Sequence, residues 1–381
     1  MTVFQCLSPL QQKKLLTSSR RLRRHTEKSP SGSIAPPSPM KDLLNHRELF
    51  QLMQILRESQ RIVVTAHRGP DGDAVGSSLA WAAYLKGLGK KVDVILPTPF
   101  PDFLRWMPGA HIIRFHLNHE AEAAATLKEA DLICCLDFNT LSRLQEMEGA
   151  MKQTKARRII IDHHPDPDQD GVEMVVSFPK MSSTCEIVFR LIHQLGGFEG
   201  MTAAAATCLY TGMMTDTGGF TYNSADPEIY EIIALLLTKG IDKDKIYRNV
   251  FHVFSTDRIR LTGYVLYEKL QFFAKNKAAV FTLTREEMKR FHFIRGDAEG
   301  LVNMPLQVKG MKLSISLRED TERDVVRVSL RSVDDFPCNR MAEEFFNGGG
   351  HLNASGGELP FPLEEAEKTA QRAIEAYQHL L

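Results

Sequence analysis

His67-Arg68-Gly69-Pro70-Asp71-Gly72-Asp73 places one imidazole and two carboxylates within seven positions of a Gly/Pro-rich turn. A carboxylate-rich set with an imidazole suits Mn²⁺ or Mg²⁺ better than a structural zinc site, which favours thiolates. The same turn also reads as a polar loop in which Asp71 or Asp73 caps the helix that follows. Asp137 closes the apolar run Leu132-Ile133-Cys134-Cys135-Leu136, either as a site acid or as a loop cap. Asp162-His163-His164-Pro165 follows Ile159-Ile160-Ile161. Adjacent side chains diverge, so the two histidines are expected to do different jobs, one on a metal and one on a phosphate. Asp216, in Thr215-Asp216-Thr217-Gly218-Gly219-Phe220, follows the small-residue stretch Ala203 to Met214. A helix-terminating glycine explains the glycines there but not the acid. Gly348-Gly349-Gly350-His351, running on to Ser355, offers backbone amides and an imidazole to an anion, with a flexible hairpin loop as the plain alternative.

These segments need strand ends to hold them. Arg61 to Ala66, Lys91 to Leu96, Asp131 to Leu136 and Arg158 to Ile161 are short apolar or β-branched runs and predict strands, with a further short one at 111–115. Helices are expected at 42–58, 74–88, 183–195, 202–214 and 227–238. Strands separated by helices imply a mainly parallel sheet with helices on both faces, and such sheets place their sites just past the strand ends. A helical, amphipathic stretch over 241–272 reads as a connector. Beyond it, strands at 278–284, 312–317 and 325–330 and a helix at 363–379 form a smaller α+β domain. The fold expected is therefore α/β: a doubly wound, mainly parallel domain over 41–240, the connector, and an α+β domain over 273–381.

Taken in order, H-x-x-x-D-x-D, the lone aspartate, D-H-H, T-D-T-G and G-G-G-H-x-x-A-S-G resemble the DHH phosphoesterase superfamily across residues 61 to 357. Within it, the pattern is most similar to the oligoribonuclease/adenosine-bisphosphate phosphatase group, which carries a C-terminal DHH-associated domain. The resemblance implies two Mn²⁺ ions, with Mg²⁺ or Co²⁺ as substitutes. It assigns His67, Asp71 and Asp137 to one ion and Asp73, Asp137, His163 and Asp216 to the other, with Asp137 bridging. It turns His164 to the phosphate and uses Asp162 to orient the imidazoles. Gly348, Gly349, Gly350, His351 and Ser355 would grip the terminal nucleotide, joined by Arg331 and Ser332. Arg143 also fits the family pattern, though a surface ion pair explains it equally well. The implied reaction is hydrolysis of short oligoribonucleotides or adenosine 3′,5′-bisphosphate by a hydroxide activated between two metals. A soluble cyclic di-AMP or pApA phosphodiesterase is the nearest alternative, and an inert nucleotide-binding protein on the same fold is the non-enzymatic one. The sequence has neither a G-x-S-x-G elbow nor a P-loop, consistent with a nucleophile that is not a side chain.

Composition limits the partners. The 381 residues carry 47 Lys+Arg and 47 Asp+Glu, a net charge of zero that argues against a globally basic nucleic-acid coat. The balance is uneven. Residues 1 to 40 carry a net +6, and the remainder a net −6. An anionic substrate must then be met by bound cations or by local basic side chains. The Ser/Pro/Arg-rich segment 1–40 reads as a disordered basic tail, with a transit peptide or a true start at Met40 as alternatives. Six cysteines with no C-x-x-C pair and no apolar run of about 18 residues imply a cytoplasmic protein with reduced thiols and no membrane span. A homodimer is compatible with these features.

Overall fold

Two six-stranded sheets follow one another along the chain. The computed structural model describes residues 40–252, 254–273, 275, 277–294 and 296–381. The expected tail over 1–40 lies outside the described residues, save for Met40. The first described helix, His46–Glu58, starts at a full capping box between Asn45 and Glu48. The first sheet follows: β1 (Arg61–Ala66), β2 (Lys91–Leu96), β3 (Arg114–Phe115), β4 (Leu132–Leu136), β5 (Arg157–Asp162) and β6 (Met174–Ser177). All its pairings are parallel, in the order β3-β2-β1-β4-β5-β6. Strands covered on both faces must be apolar throughout, and every residue of β4 is buried. From β1 the chain runs outward to β2 and β3, then returns to lay β4 on the other side of β1. That reversal opens a crevice beyond the C-terminal ends of β1 and β4.

Three helices, Gly72–Gly87, Thr184–Gln194 and Ala203–Asp216, pack closely on one another beside this sheet. Glycine makes the approach possible. A Cβ on Gly76 would lie 2.5 Å from the Cys208 carbonyl oxygen, and one on Gly212 would lie 2.2 Å from Cys185 Sγ. A core of Val63, Ile95, Leu127, Ile133, Cys135 and Ile160 lies under Phe138, Leu144 and Met147. The five cysteines among the described residues are buried thiols without a disulfide. No helix among the described residues is long and apolar enough to cross a membrane.

Helices Lys243–Phe251 and Thr256–Tyr264 and the π turn Val265–Lys269 lead to the second sheet. Its strands are β7 (Gln271–Phe273), β8 (Ala278–Leu283), β9 (Leu313–Glu319), β10 (Val325–Ser332), β11 (Gly349–His351) and β12 (Ala354–Pro360). They pair in the order β11-β12-β10-β9-β8-β7, antiparallel except for β8 with β9. Strand β7 begins inside the stretch expected as connector. Leu313, Ile315, Leu317, Val326, Val328 and Leu330 alternate inward and share a core with Phe346, Ala366, Ala370 and Ala373 of the covering helices.

The glycine segment 348–357, read from sequence as a loop, is a β11–β12 hairpin. Its glycines serve packing. The Gly348 amide donates to Ala342 O at 3.1 Å, a Cβ on Gly348 would fall 1.8 Å from Gly356 O, and one on Gly357 would fall 2.1 Å from Phe346 O.

Helix-to-helix contact through glycine gives a stability test. Gly76→Ala should cost about 1–3 kcal/mol in chemical denaturation, because the methyl meets backbone that cannot rotate away. Gly87→Ala, where a Cβ meets nothing within 4 Å, should be neutral or slightly stabilising. Equal effects of the two substitutions would contradict this packing account.

Candidate metal centre

Four segments converge on the crevice. His67 leaves the end of β1, Asp137 leaves β4, His163 and His164 leave β5, and Asp216 ends the helix Ala203–Asp216. Asp137 is central. Its Oδ2 lies 3.4 Å from His67 Nε2, and its Oδ1 lies 3.5 Å from His163 Nε2 and 3.9 Å from His164 Nδ1. His163 Nε2 is 3.7 Å from Asp216 Oδ2, and His67 Nε2 is 4.0 Å from Asp71 Oδ2. Donor atoms of His67, Asp71 and Asp137 lie within 4.8 Å of one another, as do those of Asp73, Asp137 and His163. Asp137 belongs to both groups. Its backbone is left-handed (φ 62°), a conformation that aspartate tolerates better than most residues. Its amide donates to Ile161 O at 3.1 Å, which ties the end of β4 to β5.

Neighbouring groups fix each donor's orientation. His67 Nδ1 contacts its neighbour's carbonyl, Arg68 O, at 3.0 Å, leaving Nε2 to the carboxylates. His163 does the same through Nδ1 and Met181 O at 3.4 Å. His164 Nδ1 donates to Asp162 Oδ1 at 2.7 Å, so its Nε2 remains for an external partner. Asp162 is wholly buried, and its Oδ2 has no hydrogen-bond partner among the described residues. Asp71 fulfils the capping reading with one oxygen: Oδ1 accepts from the amides of Asp73 and Ala74, both at 3.0 Å, leaving Oδ2 on the His67 side.

The cluster is crowded with negative charge. Burial, then the charges of Asp137, Asp216 and Asp71, pushes the Asp73 carboxyl well above the usual range. Burial raises Asp216 to about 7, partly countered by His163 and reinforced by Asp71 and Asp137. Burial would raise Asp137 too, but the His67 hydrogen bond and the charges of His67, His164 and His163 hold it well below the usual range. Burial would lower His67, but Asp137 and Asp71 outweigh it and lift the imidazole to about 9. Buried acids pushed up in pKa, gathered round a carboxylate with imidazoles on both sides, fit divalent cations of the hard, oxygen-preferring kind. A divalent charge would favour the ionised form of the whole set.

The second sheet also reaches the crevice. His351 packs its ring 5.2 Å from His164 and 5.8 Å from His163, centroid to centroid. Desolvation, then the charges of His164 and His163, draws it down to about 4. His351 pairs across to Ala354, and Ala354 to Arg331, so the three share one cross-strand row and one face of the sheet. Two strand spacings separate His351 from Arg331, about 10 Å, with only a methyl between. Arg331 donates to Leu330 O at 2.8 Å, and among the described residues neither Arg331 nor Arg143 has an ion pair, so no surface pair engages Arg143. Arg143 acts electrostatically on both His67 and His351.

Two of the predicted substrate contacts face inward instead. Ser332 Oγ is buried and donates to Phe336 O at 2.8 Å while accepting from Asn353 Nδ2 at 2.9 Å. Ser355 Oγ is buried and donates to His351 O at 2.8 Å. Both hold the turn that presents His351. The Gly348 amide is likewise taken by Ala342 O, and Gly350 (φ 142°) is a backbone requirement of the hairpin.

Sequence reasoning missed Thr184. Its amide donates to Asp73 Oδ2 at 2.7 Å, the Cys185 amide donates to Asp73 Oδ1 at 2.8 Å, and Thr184 Oγ1 donates to Asp137 Oδ1 at 3.0 Å. The start of the helix Thr184–Gln194 thus holds two of the cluster's acids. A buried network sets that helix start: Glu186 Oε2 accepts from the Ser182 amide (2.8 Å) and hydroxyl (2.6 Å), and Arg190 bridges Glu186 and Glu228. The available signal, Ser183 three residues before Glu186, predicts a helix cap and nothing more.

Residues 61–213 match the DHH family, N-terminal domain, and residues 276–379 match the DHHA1 domain. Among curated relatives, the bifunctional oligoribonuclease and PAP phosphatase NrnA of Thermus thermophilus is 29% identical, over 82% of this chain and 89% of its own length. The "probable bifunctional oligoribonuclease and PAP phosphatase NrnA" of Streptococcus mutans is 32% identical, over 81% of this chain and 93% of its own length. Among solved structures, an exopolyphosphatase-related protein from Bacteroides fragilis superposes with a TM-score of 0.86 at 48% identity, covering 90% of this chain and 99% of that one.

Thr184 makes the arrangement testable through metal affinity. Thr184→Val keeps the amide on Asp73 but removes the donor to Asp137, and should weaken Mn²⁺ binding by roughly 10- to 100-fold, the usual cost of losing an orienting partner. Thr184→Ser should restore most of it. Free-Mn²⁺ titration by electron paramagnetic resonance reads both, and an unchanged affinity in Thr184→Val would refute the role.

Proposed function

The chain belongs to the DHH family, with the DHH–DHHA1 architecture of the oligoribonuclease/PAP phosphatase relatives, and from that premise we propose that it hydrolyses short oligoribonucleotides and adenosine 3′,5′-bisphosphate with Mn²⁺ in its Asp/His centre. Metal-dependent phosphoester hydrolysis is the coarser reaction. His67, Asp71 and Asp137 would hold one cation, and Asp73, Asp137, His163 and Asp216 would hold the other. Divalent cations bound there supply an acidified water as nucleophile and neutralise charge on the phosphate. His164, fixed by Asp162 at Nδ1, offers Nε2 to a phosphate oxygen. Arg143 and Arg331 provide the local positive charge that a net-negative body otherwise lacks.

The observation that carries the substrate reading is the His351–Ala354–Arg331 row. It sets a neutral imidazole against the His163–His164 pair and a guanidinium without an ion pair about two strand spacings away. A phosphate at the centre and the next group of the same molecule at Arg331 span a short ligand. His351 stands against the His163–His164 pair on one side of the centre, which favours a chain end over the middle of a long strand.

A substrate panel with added Mn²⁺ tests the reading. Dinucleotide to pentanucleotide RNA and adenosine 3′,5′-bisphosphate should turn over at least tenfold faster than a long RNA, a difference of about 1.4 kcal/mol in transition-state stabilisation. Cyclic di-AMP or pApA as the dominant substrate would move the assignment to the cyclic-dinucleotide class. A protein that binds Mn²⁺ and cleaves no phosphate ester would end the enzymatic reading.

A further inference from the structure

Tyr222 has no part in the donor cluster, yet it is held beside it. Gly218 (φ 55°), Gly219 (φ 74°) and Phe220 (φ 64°) run left-handed in succession after the helix Ala203–Asp216. Four hydrogen bonds lock this turn. The amides of Thr221 and Tyr222 donate to Thr217 O at 2.9 and 3.2 Å, the Phe220 amide donates to Thr217 Oγ1 at 3.0 Å, and Thr221 Oγ1 donates to Gly218 O at 2.8 Å. The turn throws the Tyr222 ring back over Gly218, where a Cβ would fall 2.2 Å from ring Cε1. The glycines take this conformation freely, but Phe220 does not, and its left-handed backbone held by these bonds fixes where Tyr222 stands.

The ring is supported on the glycine side and otherwise bare: Tyr222 is 50% exposed, and its hydroxyl has no hydrogen-bond partner among the described residues. Its hydroxyl lies within electrostatic reach of Asp216 at the centre, Arg331 on β10 and Glu299. Glu299 precedes Gly300, which starts the turn Leu301–Gln307 packed on β9 and β10. Packed on Gly218, two residues past Asp216, the ring therefore stands beside the Asp/His centre, within electrostatic reach of Arg331 on the second sheet. A half-exposed aromatic face suits a flat, uncharged fragment.

We propose that Tyr222 is the stacking platform for the nucleobase of the nucleotide whose phosphate the Asp/His centre holds. The proposal rests on the phosphoesterase reading and adds the part of the substrate that the phosphate contacts leave unplaced. A ring already fixed by its turn offers a base its face at little cost in side-chain freedom. Every base has such a face, so the platform favours nucleotides over other phosphate esters without choosing among the bases.

Calorimetric titration of the Mn²⁺-loaded protein with adenosine 5′-monophosphate and with ribose 5-phosphate separates base from phosphate. Tyr222→Ala should weaken the nucleotide by roughly 5- to 150-fold, the range for losing one base-aromatic stack. It should leave ribose 5-phosphate unchanged, which also certifies the variant's fold. Tyr222→Phe should bind both ligands like the wild type. Unchanged nucleotide binding in Tyr222→Ala, or equal losses on the two ligands, overturns the proposal. A wild type that binds the nucleotide through Tyr222 but hydrolyses no phosphate ester would sink the phosphoesterase reading and leave the platform standing.

Discussion

The repulsion among Asp71, Asp73, Asp137 and Asp216 is the constraint on which the rest of the structure turns. Asp73 is 1% exposed and Asp137 2% exposed, and burial at such spacing does not allow all four to ionise unaided. Without cations the cluster answers the conflict internally: Asp137 keeps its charge by leaning on His67, His163 and His164, while burial and neighbouring carboxylates push Asp73 and Asp216 above the usual range. A fold that gathers acids this way favours whatever brings compensating positive charge.

Everything around the cluster keeps those acids from relaxing apart. The strand order β3-β2-β1-β4-β5-β6 puts the ends of β1 and β4 side by side, so His67 and Asp137 meet although 70 residues separate them in the chain. Glycines at 76 and 212 draw two helices together, and a Cβ on Gly212 would come 3.1 Å from Asp73 Oδ1. The helix Thr184–Gln194 turns its first amides on Asp73 and its threonine hydroxyl on Asp137. The second sheet brings His351 up to the crevice, on a hairpin held by Ser332, Asn353 and Ser355. Most of the structural cost thus goes into position.

What was legible in the sequence follows from the range of each interaction. His67, Asp71, Asp73, Asp137, His163 and Asp216 could be named because residue type and placement after apolar strands carry the information, and the structure brings them together. The parallel sheet was legible for the same reason, since buried strands announce themselves as runs of Ile, Val and Cys. Contacts that exist only in three dimensions were not. Thr184 meets Asp73 across 111 positions and Asp137 across 47. Tyr222 looks like one aromatic among many until its turn is seen. The glycines at 348–350 were read as openings for an anion, whereas a Cβ at 348 or 350 would run into the backbone of β12. The hydroxyls of Ser332 and Ser355, read as substrate contacts, are engaged within the protein, and a buried hydroxyl and a ligand-facing one have the same letter. Strand β6 and the helix Cys338–Phe345, both short, left too little periodicity to find.

The central claim is that protons now occupy places that divalent cations would take. Mn²⁺ titrated into the metal-free protein near pH 7, in buffers of different ionisation enthalpy, measures it. At that pH His67, lifted to about 9, holds its proton and Asp216, raised to about 7, holds one in part of the population, while burial also raises Asp73 above its usual range. Binding should therefore release protons, and the apparent affinity should climb as the pH rises from 6 to 9 and those groups lose their protons unaided. Mn²⁺ that binds with no proton released and with affinity flat across that interval would contradict the account.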